Sequence, residues 1–175
     1  MSIKKPIRYA FLQIPNYSMV TFSSAVASLR GANYISKQDL YEWQVVSMDG
    51  VPVTASVGFE VTPTLHVNDL NLNDLEAVIV CGGTFIDRAY NKNTIAFLRK
   101  AANAKIKIGS TCTGSYLLAA AGLLDGYKST IHWENLASMR EEFPNVLMSS
   151  NLFAIDRDRF TCSGGNSSLD MMLQF

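Results

Sequence analysis

The stretch Lys105-Ile-Lys-Ile-Gly-Ser-Thr-Cys-Thr-Gly114 decides the fold of this chain of 175 residues. Its first half alternates as a β-strand does, Cys112 follows at a turn, and the apolar run Ser115–Ala121, closed by Gly122, is typical of a buried helix. Such a unit holds the turn side chain at the carboxyl edge of a sheet, beside the first N–H groups of the helix. Because those groups favour negative charge, the pattern predicts a lowered thiol pKa at Cys112 and a site for a nucleophile or a ligand.

The composition excludes several classes of protein. Apolar residues make up 48% of the chain and charged residues 17%, which indicates a compact domain rather than disorder. Fifteen basic residues balance fifteen acidic ones, so the chain lacks the basic excess of a nucleic-acid-binding surface. It contains no apolar run of membrane length, and its start, Met1-Ser-Ile-Lys-Lys-Pro6, does not resemble a signal peptide.

The cysteines and histidines are few and widely spaced. Cys81, Cys112 and Cys162 show no paired spacing, and an odd number of cysteines without a secretion signal indicates reduced thiols in the cytoplasm. The chain has only two histidines and no close cluster of cysteines and histidines, so we expect no metal site. No cofactor is expected either.

Predicted strands and helices alternate along the chain. Strands are predicted at 7–14, 43–48, 75–80 and 105–111, with helices at 19–36, 93–102, 115–121 and 134–143 and a last helix after Gly164-Gly165. Asn93 is the expected cap of the second of these helices. The turn Asp49-Gly50 predicts a hairpin from strand 43–48 into Val51–Thr54, 59–67 predicts short peripheral β segments, and 152–155 with 159–162 predicts another hairpin. The alternation predicts an α/β domain with a mainly parallel sheet.

Parallel sheets carry their sites at the carboxyl ends of the strands. Three loops of this chain are predicted to lie there: Pro15-Asn16, Cys81-Gly82-Gly83 and Cys112-Thr113-Gly114. Each loop also has a purely structural interpretation. Asn16 is a common turn residue, glycines permit a tight bend after a strand, and a free cysteine is often simply buried.

The residues around Cys112 carry a resemblance to a known family. Ser110-Thr-Cys-Thr-Gly-Ser-Tyr-Leu-Leu-Ala-Ala-Ala-Gly-Leu-Leu-Asp-Gly126, followed by Ser129-Thr-Ile-His-Trp133, resembles the ThiJ/PfpI-like domain of GlxA-type AraC-family transcriptional regulators. Val80-Cys-Gly-Gly83 and Thr161-Cys-Ser-Gly-Gly165 fit the same pattern. The resemblance implies a flavodoxin-like three-layer sandwich of the class I glutamine amidotransferase type, in a regulator that forms homodimers.

In that family a helix-turn-helix domain that binds DNA follows the ThiJ/PfpI-like domain. Leu169-Asp-Met-Met-Leu-Gln-Phe175 begins an amphipathic helix without a stop signal. We therefore expect residues 1–175 to form one ThiJ/PfpI-like domain, cut within or near its last helix. DNA would then be bound only by the domain absent from this chain, and no membrane contact is expected.

The resemblance also assigns roles to single residues. Cys112 matches the nucleophile of related hydrolases, His132 matches a histidine near that cysteine, and the N–H groups of Gly82 and Gly83 match an oxyanion hole or a carboxylate-binding site. Glu134 completes a short His-x-Glu match. Thr113, however, stands where peptidase-type members have a histidine, and 16–21 lacks the acidic residue of redox-type members.

These departures favour binding over turnover. The leading hypothesis is a ligand-sensing and oligomerisation domain whose effector, an amino acid or amine, is bound at Asn16, Gly82, Gly83, Cys112, Thr113 and His132. One alternative is a cysteine hydrolase, amidase or glyoxalase-like enzyme that uses Cys112 and His132. A second alternative is a thiol redox sensor that uses Cys112.

Overall fold

The computed structural model describes residues 5–175 and contains one large central sheet. The strands of the described part are β1 Ile7–Gln13, β2 Tyr41–Ser47, β3 Val53–Thr54, β4 Glu60–Val61, β5 Leu65–His66, β6 Ala77–Cys81, β7 Lys107–Thr111, β8 Lys128–Ser129, β9 Leu147–Met148, β10 Phe153–Asp156 and β11 Arg159–Cys162. The α-helices are α1 Met19–Ser36, α2 Lys92–Asn103, α3 Gly114–Ala120, α4 Leu136–Glu142 and α5 Ser167–Gln174.

The central sheet has the order β10-β11-β7-β6-β1-β2-β5. Every neighbouring pair is parallel except β10 with β11, which form the hairpin predicted at 152–162. The mainly parallel α/β architecture expected from the alternation of strands and helices is therefore confirmed.

Two apolar clusters, one on each face of the sheet, make the domain a three-layer sandwich. Alternate residues of β1, β6 and β7, such as Leu12, Val80 and Ile108, pack with α2, α3 and α4. The residues between them, such as Phe11 and Ile79, pack with α1 and α5. No helix within residues 5–175 is long and apolar enough to cross a membrane.

The predicted hairpin around Asp49-Gly50 is wrong. β3 pairs with β4 in an antiparallel hairpin and not with β2. The outer edge of β2 pairs instead with β5 and is bonded by two side chains. The Asn33 carboxamide bonds both the N–H and the C=O of Tyr41, and the Thr64 hydroxyl does the same for Val45. The Asp49 carboxylate instead closes a local turn by accepting from the Val51 N–H at 3.2 Å.

Two predicted helix starts also differ from the structure. α2 is capped by Asn91 and not by Asn93, because the Asn91 side chain accepts from the backbone N–H of Asn93 and of Thr94. The helix predicted at 134–143 begins as a 3₁₀ turn at Trp133–Asn135 before α4. Both differences are shifts of a boundary, and the elements themselves are present.

Candidate functional site

The carboxyl ends of β1, β6 and β7 bring the three predicted loops together. The loop after β6 is bonded to its neighbours on both sides. The Ser18 N–H donates to the Gly82 carbonyl at 2.9 Å, and the Thr113 hydroxyl donates to the Gly83 carbonyl at 2.6 Å. The loop after β6 is thus held between the start of α1 and the turn that carries Cys112.

Cys112 lies on a left-handed turn between β7 and α3. Its φ is 56°, a conformation that costs a non-glycine residue about 1–2 kcal/mol. The turn is held by its surroundings, since Gly114 packs against the Val80 carbonyl, where a Cβ would collide. The side chain is 8% exposed and lies in the wall of a cavity. Backbone strain of this kind is common at functional sites.

The expectation of a lowered Cys112 pKa is wrong. Burial, the largest effect, raises the pKa of the Cys112 thiol to about 11, while the backbone N–H of Thr113 lowers it by a smaller amount. The nearby Cys162 and Glu134 raise it further. The desolvation of a thiolate outweighs the help of a helix that has only 7 residues, so the thiol is protonated at neutral pH.

Alkylation should therefore find no activated thiol in the folded chain. We expect iodoacetamide to label Cys112 before Cys81 and Cys162, because both of these are fully buried. The labelling rate should rise about tenfold per pH unit from about pH 8 to pH 10, because the thiolate fraction grows in that proportion. Mass spectrometry of peptides measures the rate at each cysteine, with Cys112→Ser as the control. A plateau near neutral pH would contradict the raised pKa.

The cavity beside Cys112 has a volume of about 630 Å³. Of the predicted ligand-binding residues, Gly83, Cys112, Thr113 and His132 line it. Asn16 lies instead along two neighbouring cavities. Gly82 does not line this cavity and instead packs against α3, where a Cβ would collide with the Gly114 N–H. The geometry thus groups four of the six residues predicted from the sequence.

His132 and Cys112 converge on the same glycine. A Cβ built on Gly164 would lie 3.4 Å from the His132 ring and 3.5 Å from the Cys112 sulfur. The Glu134 carboxylate, which the sequence placed in a short His-x-Glu match, lies 3.6 Å from Nδ1 of His132. The three side chains are therefore neighbours, but no hydrogen bond joins Cys112 to His132 or His132 to Glu134 among the described residues, as an activated thiol would require.

Three carboxylates line the cavity, and the sequence analysis did not predict two of them, Asp87 and Glu142, as site residues. Asp87 lies in the loop after β6, Glu134 follows His132, and Glu142 lies at the end of α4, where it accepts from the Tyr116 hydroxyl at 2.6 Å. Within the described chain, no lysine or arginine lines this cavity. The carboxylates come together through the packing of α4 near α3, which no local sequence signal predicts.

Across residues 5–175, no three His, Cys, Asp or Glu side chains form a group that would hold a metal ion. The cavity presents the Cys112 thiol, the His132 imidazole, the Tyr116 phenol and three carboxylates.

Comparison with known proteins gives matches along nearly the whole chain. Residues 11–175 match the model of the DJ-1/PfpI family. The chain is 45% identical over 170 residues to the HTH-type transcriptional regulator GbdR of Pseudomonas aeruginosa, which covers 97% of this chain and 46% of that protein. It is 34% identical over 173 residues to the HTH-type transcriptional regulator GlxA of Rhizobium meliloti, covering 94% and 51%. The chain thus spans about half the length of these curated relatives.

A solved structure agrees with these relatives. The crystal structure of an AraC family transcriptional regulator from Pseudomonas putida is similar with a TM-score of 0.88 and 29% identity. The match covers 97% of this chain and 90% of that one. The fold of residues 5–175 is accordingly similar to that of a domain already known from a regulator.

Proposed function

We propose, from the premise that this chain belongs to the DJ-1/PfpI family, that it is the effector-binding and dimerisation domain of a cytoplasmic transcriptional regulator. The resemblance seen at Ser110–Trp133 is confirmed by GlxA and by the other regulators similar to the chain. A helix-turn-helix domain in another part of the same protein would bind the DNA. Differential affinity of the effector for two arrangements of a homodimer would change that binding.

The observation that carries the proposal is the lining of the cavity beside Cys112. Its charged groups are Asp87, Glu134 and Glu142, and its other titratable side chains are Cys112, Tyr116 and His132. No described lysine or arginine lines the cavity, although the Arg88 guanidinium lies 3.4 Å from the Asp87 carboxylate in an exposed ion pair, which contributes little. A concave site with this charge favours a small amine or amino acid with a positive charge over an anion. The protonated Cys112 thiol lines the site as a weakly polar contact.

Calorimetric titration of the full regulator tests this function. The titrants are a panel of amines, amino acids and carboxylic acids of matched size. We expect compounds with a positively charged nitrogen to bind and the plain carboxylates not to bind. A regulator that binds only the carboxylates, or none of the panel, would contradict the proposal.

A matched pair of triple variants isolates the role of the three carboxylates. D87N/E134Q/E142Q should weaken the binding of the cationic titrants about tenfold, because each exposed carboxylate contributes up to about 0.5 kcal/mol. D39N/D69N/E141Q removes the same charge from exposed positions outside the cavity and should change the affinity less than twofold. Equal losses in both variants would indicate long-range charge rather than contact in the cavity.

A thiol hydrolase or hydratase is the second candidate function. The observation in its favour is the distance of 3.6 Å between His132 Nδ1 and Glu134, beside Cys112. The raised pKa of Cys112 weighs against it, and against a peroxide sensor, because a protonated thiol is a poor nucleophile. Turnover of amide or glyoxal substrates that is abolished by Cys112→Ser and His132→Ala would favour the enzyme.

A further inference from the structure

Phe85 combines two unfavourable properties in the loop after β6. Its φ of 57° and ψ of 37° place a bulky aromatic residue in the left-handed region, where glycine or asparagine is usual. Its side chain is also 68% exposed, although a phenylalanine gains most from burial. Neither property is needed for the turn itself, because a glycine would adopt the same conformation without strain.

The loop around Phe85 is fixed on both sides. Before it, the Thr84 N–H donates to the Asn16 carbonyl at 3.1 Å. After it, Ile86 is buried in the core and the Arg88 N–H donates to the Phe85 carbonyl at 3.1 Å. Because these anchors determine the backbone, Phe85 stays in the left-handed conformation and its side chain projects from one place on the surface.

That place is the mouth of the cavity beside Cys112. Phe85 lines this cavity and also a neighbouring groove with Asn16, Arg88 and Tyr90. The same cavity contains Asp87, two residues further along the loop, whose carboxylate forms only an exposed ion pair with Arg88 at 3.4 Å. An aromatic face beside carboxylates, in a cavity without lysine or arginine among the described residues, suits a cation that binds both to the negative charge and to the ring.

We propose that Phe85 is a specificity-determining residue whose ring packs against the positively charged nitrogen of the effector. The inference rests on the proposed function and adds to it the residue that distinguishes a cation from an uncharged molecule of the same shape. Aromatic contact with a cation is strongest where water is excluded, and an effector that enters the cavity from its mouth would exclude water from this face.

Titration followed by NMR tests the proposal with two probes of similar shape. Tetramethylammonium carries the charge, and neopentyl alcohol is an uncharged analogue. Phe85→Leu keeps an apolar side chain but removes the π face, so we expect it to weaken binding of tetramethylammonium about tenfold and to change binding of neopentyl alcohol less than twofold. The control is Phe59→Leu in the turn between β3 and β4, where Phe59 is 69% exposed and lines neither the cavity beside Cys112 nor the neighbouring groove.

Phe85→Gly separates this role from an effect on folding. Glycine removes the left-handed strain, so the variant should melt about 2 °C above the wild type while losing the same affinity for tetramethylammonium as Phe85→Leu. Wild-type affinity for tetramethylammonium in Phe85→Leu would overturn the role of Phe85 and leave the proposed effector class standing. If the wild-type protein binds neopentyl alcohol but no cation, both the effector class and the inference fail.

Discussion

Gly83→Ala is expected to destabilise the chain by about 3 kcal/mol, the upper part of the range for overpacking. A Cβ at this position would collide with the Asn16 carbonyl oxygen and lie 2.8 Å from both the Ser18 nitrogen and the Tyr17 carbonyl carbon. All three obstacles are backbone atoms in the segment that leads into α1, so the clash cannot be relieved by rotating a side chain. Urea denaturation followed by circular dichroism measures the loss.

The matched control is Gly31→Ala in α1. Nothing lies within 4 Å of a Cβ added there, and the residue is helical. Alanine should therefore stabilise the helix by about 0.5–1 kcal/mol. If Gly83→Ala unfolds at the same urea concentration as the wild type, the loop after β6 is not packed against the start of α1 as the structure has it.

The clash bears on the two interpretations of Gly82-Gly83. The close approach to Asn16 and Gly114 is a structural reason for both glycines, and it holds whether or not the site binds a ligand. Gly83 still lines the cavity beside Cys112, so the same missing Cβ brings its backbone near any effector. The structural and functional interpretations are therefore compatible at Gly83, whereas Gly82 serves the packing.

The sequence predicts the parts of the fold that depend on local patterns. The strand-turn-helix unit at Cys112 and the β10–β11 hairpin are visible because alternation and turn residues are local features. The prediction of a hairpin at Asp49-Gly50 was wrong, because a turn signal does not show which other groups bond the edge of the preceding strand. The side chains of Asn33 and Thr64 occupy the outer edge of β2, and they lie 8 and 19 residues from the strand residues they bond, outside the turn signal.

The candidate site likewise contains residues that local patterns predict and residues whose positions depend on tertiary packing. Gly83, Cys112 and Thr113 follow strand ends, and strand ends of a parallel sheet converge, so their meeting was predictable. The presence of Glu142 at the site was not predictable, because its position depends on how α4 packs against the rest of the fold. The Cys112 pKa was predicted in the wrong direction, because the helix N-terminus is readable from sequence and the depth of burial is not.

Tyr17→Ala is expected to cost about 3–5 kcal/mol, the largest loss proposed for a side chain near the site. Tyr17 is fully buried, and its ring packs edge-on against Phe22 at 5.8 Å between centroids. Alanine would leave a cavity beneath the segment that carries Ser18, which lines the cavity beside Cys112. Effector binding should weaken together with stability, and urea denaturation with calorimetric titration measures both.

Two further tyrosine variants show whether burial is the cause. Tyr34→Ala removes a side chain that is 78% exposed and should change the stability by less than about 0.5 kcal/mol. Tyr17→Phe removes only the hydroxyl, which donates to the Met19 sulfur at 3.9 Å. Burial raises the pKa of this group to about 12, and the neighbouring Gln13 side chain lowers it by a smaller amount. Because so weak a contact contributes little, Tyr17→Phe should lose less than about 1 kcal/mol. A loss in Tyr17→Phe as large as in Tyr17→Ala would mean that the hydroxyl, and not the packing of the ring, holds the segment before α1 in place.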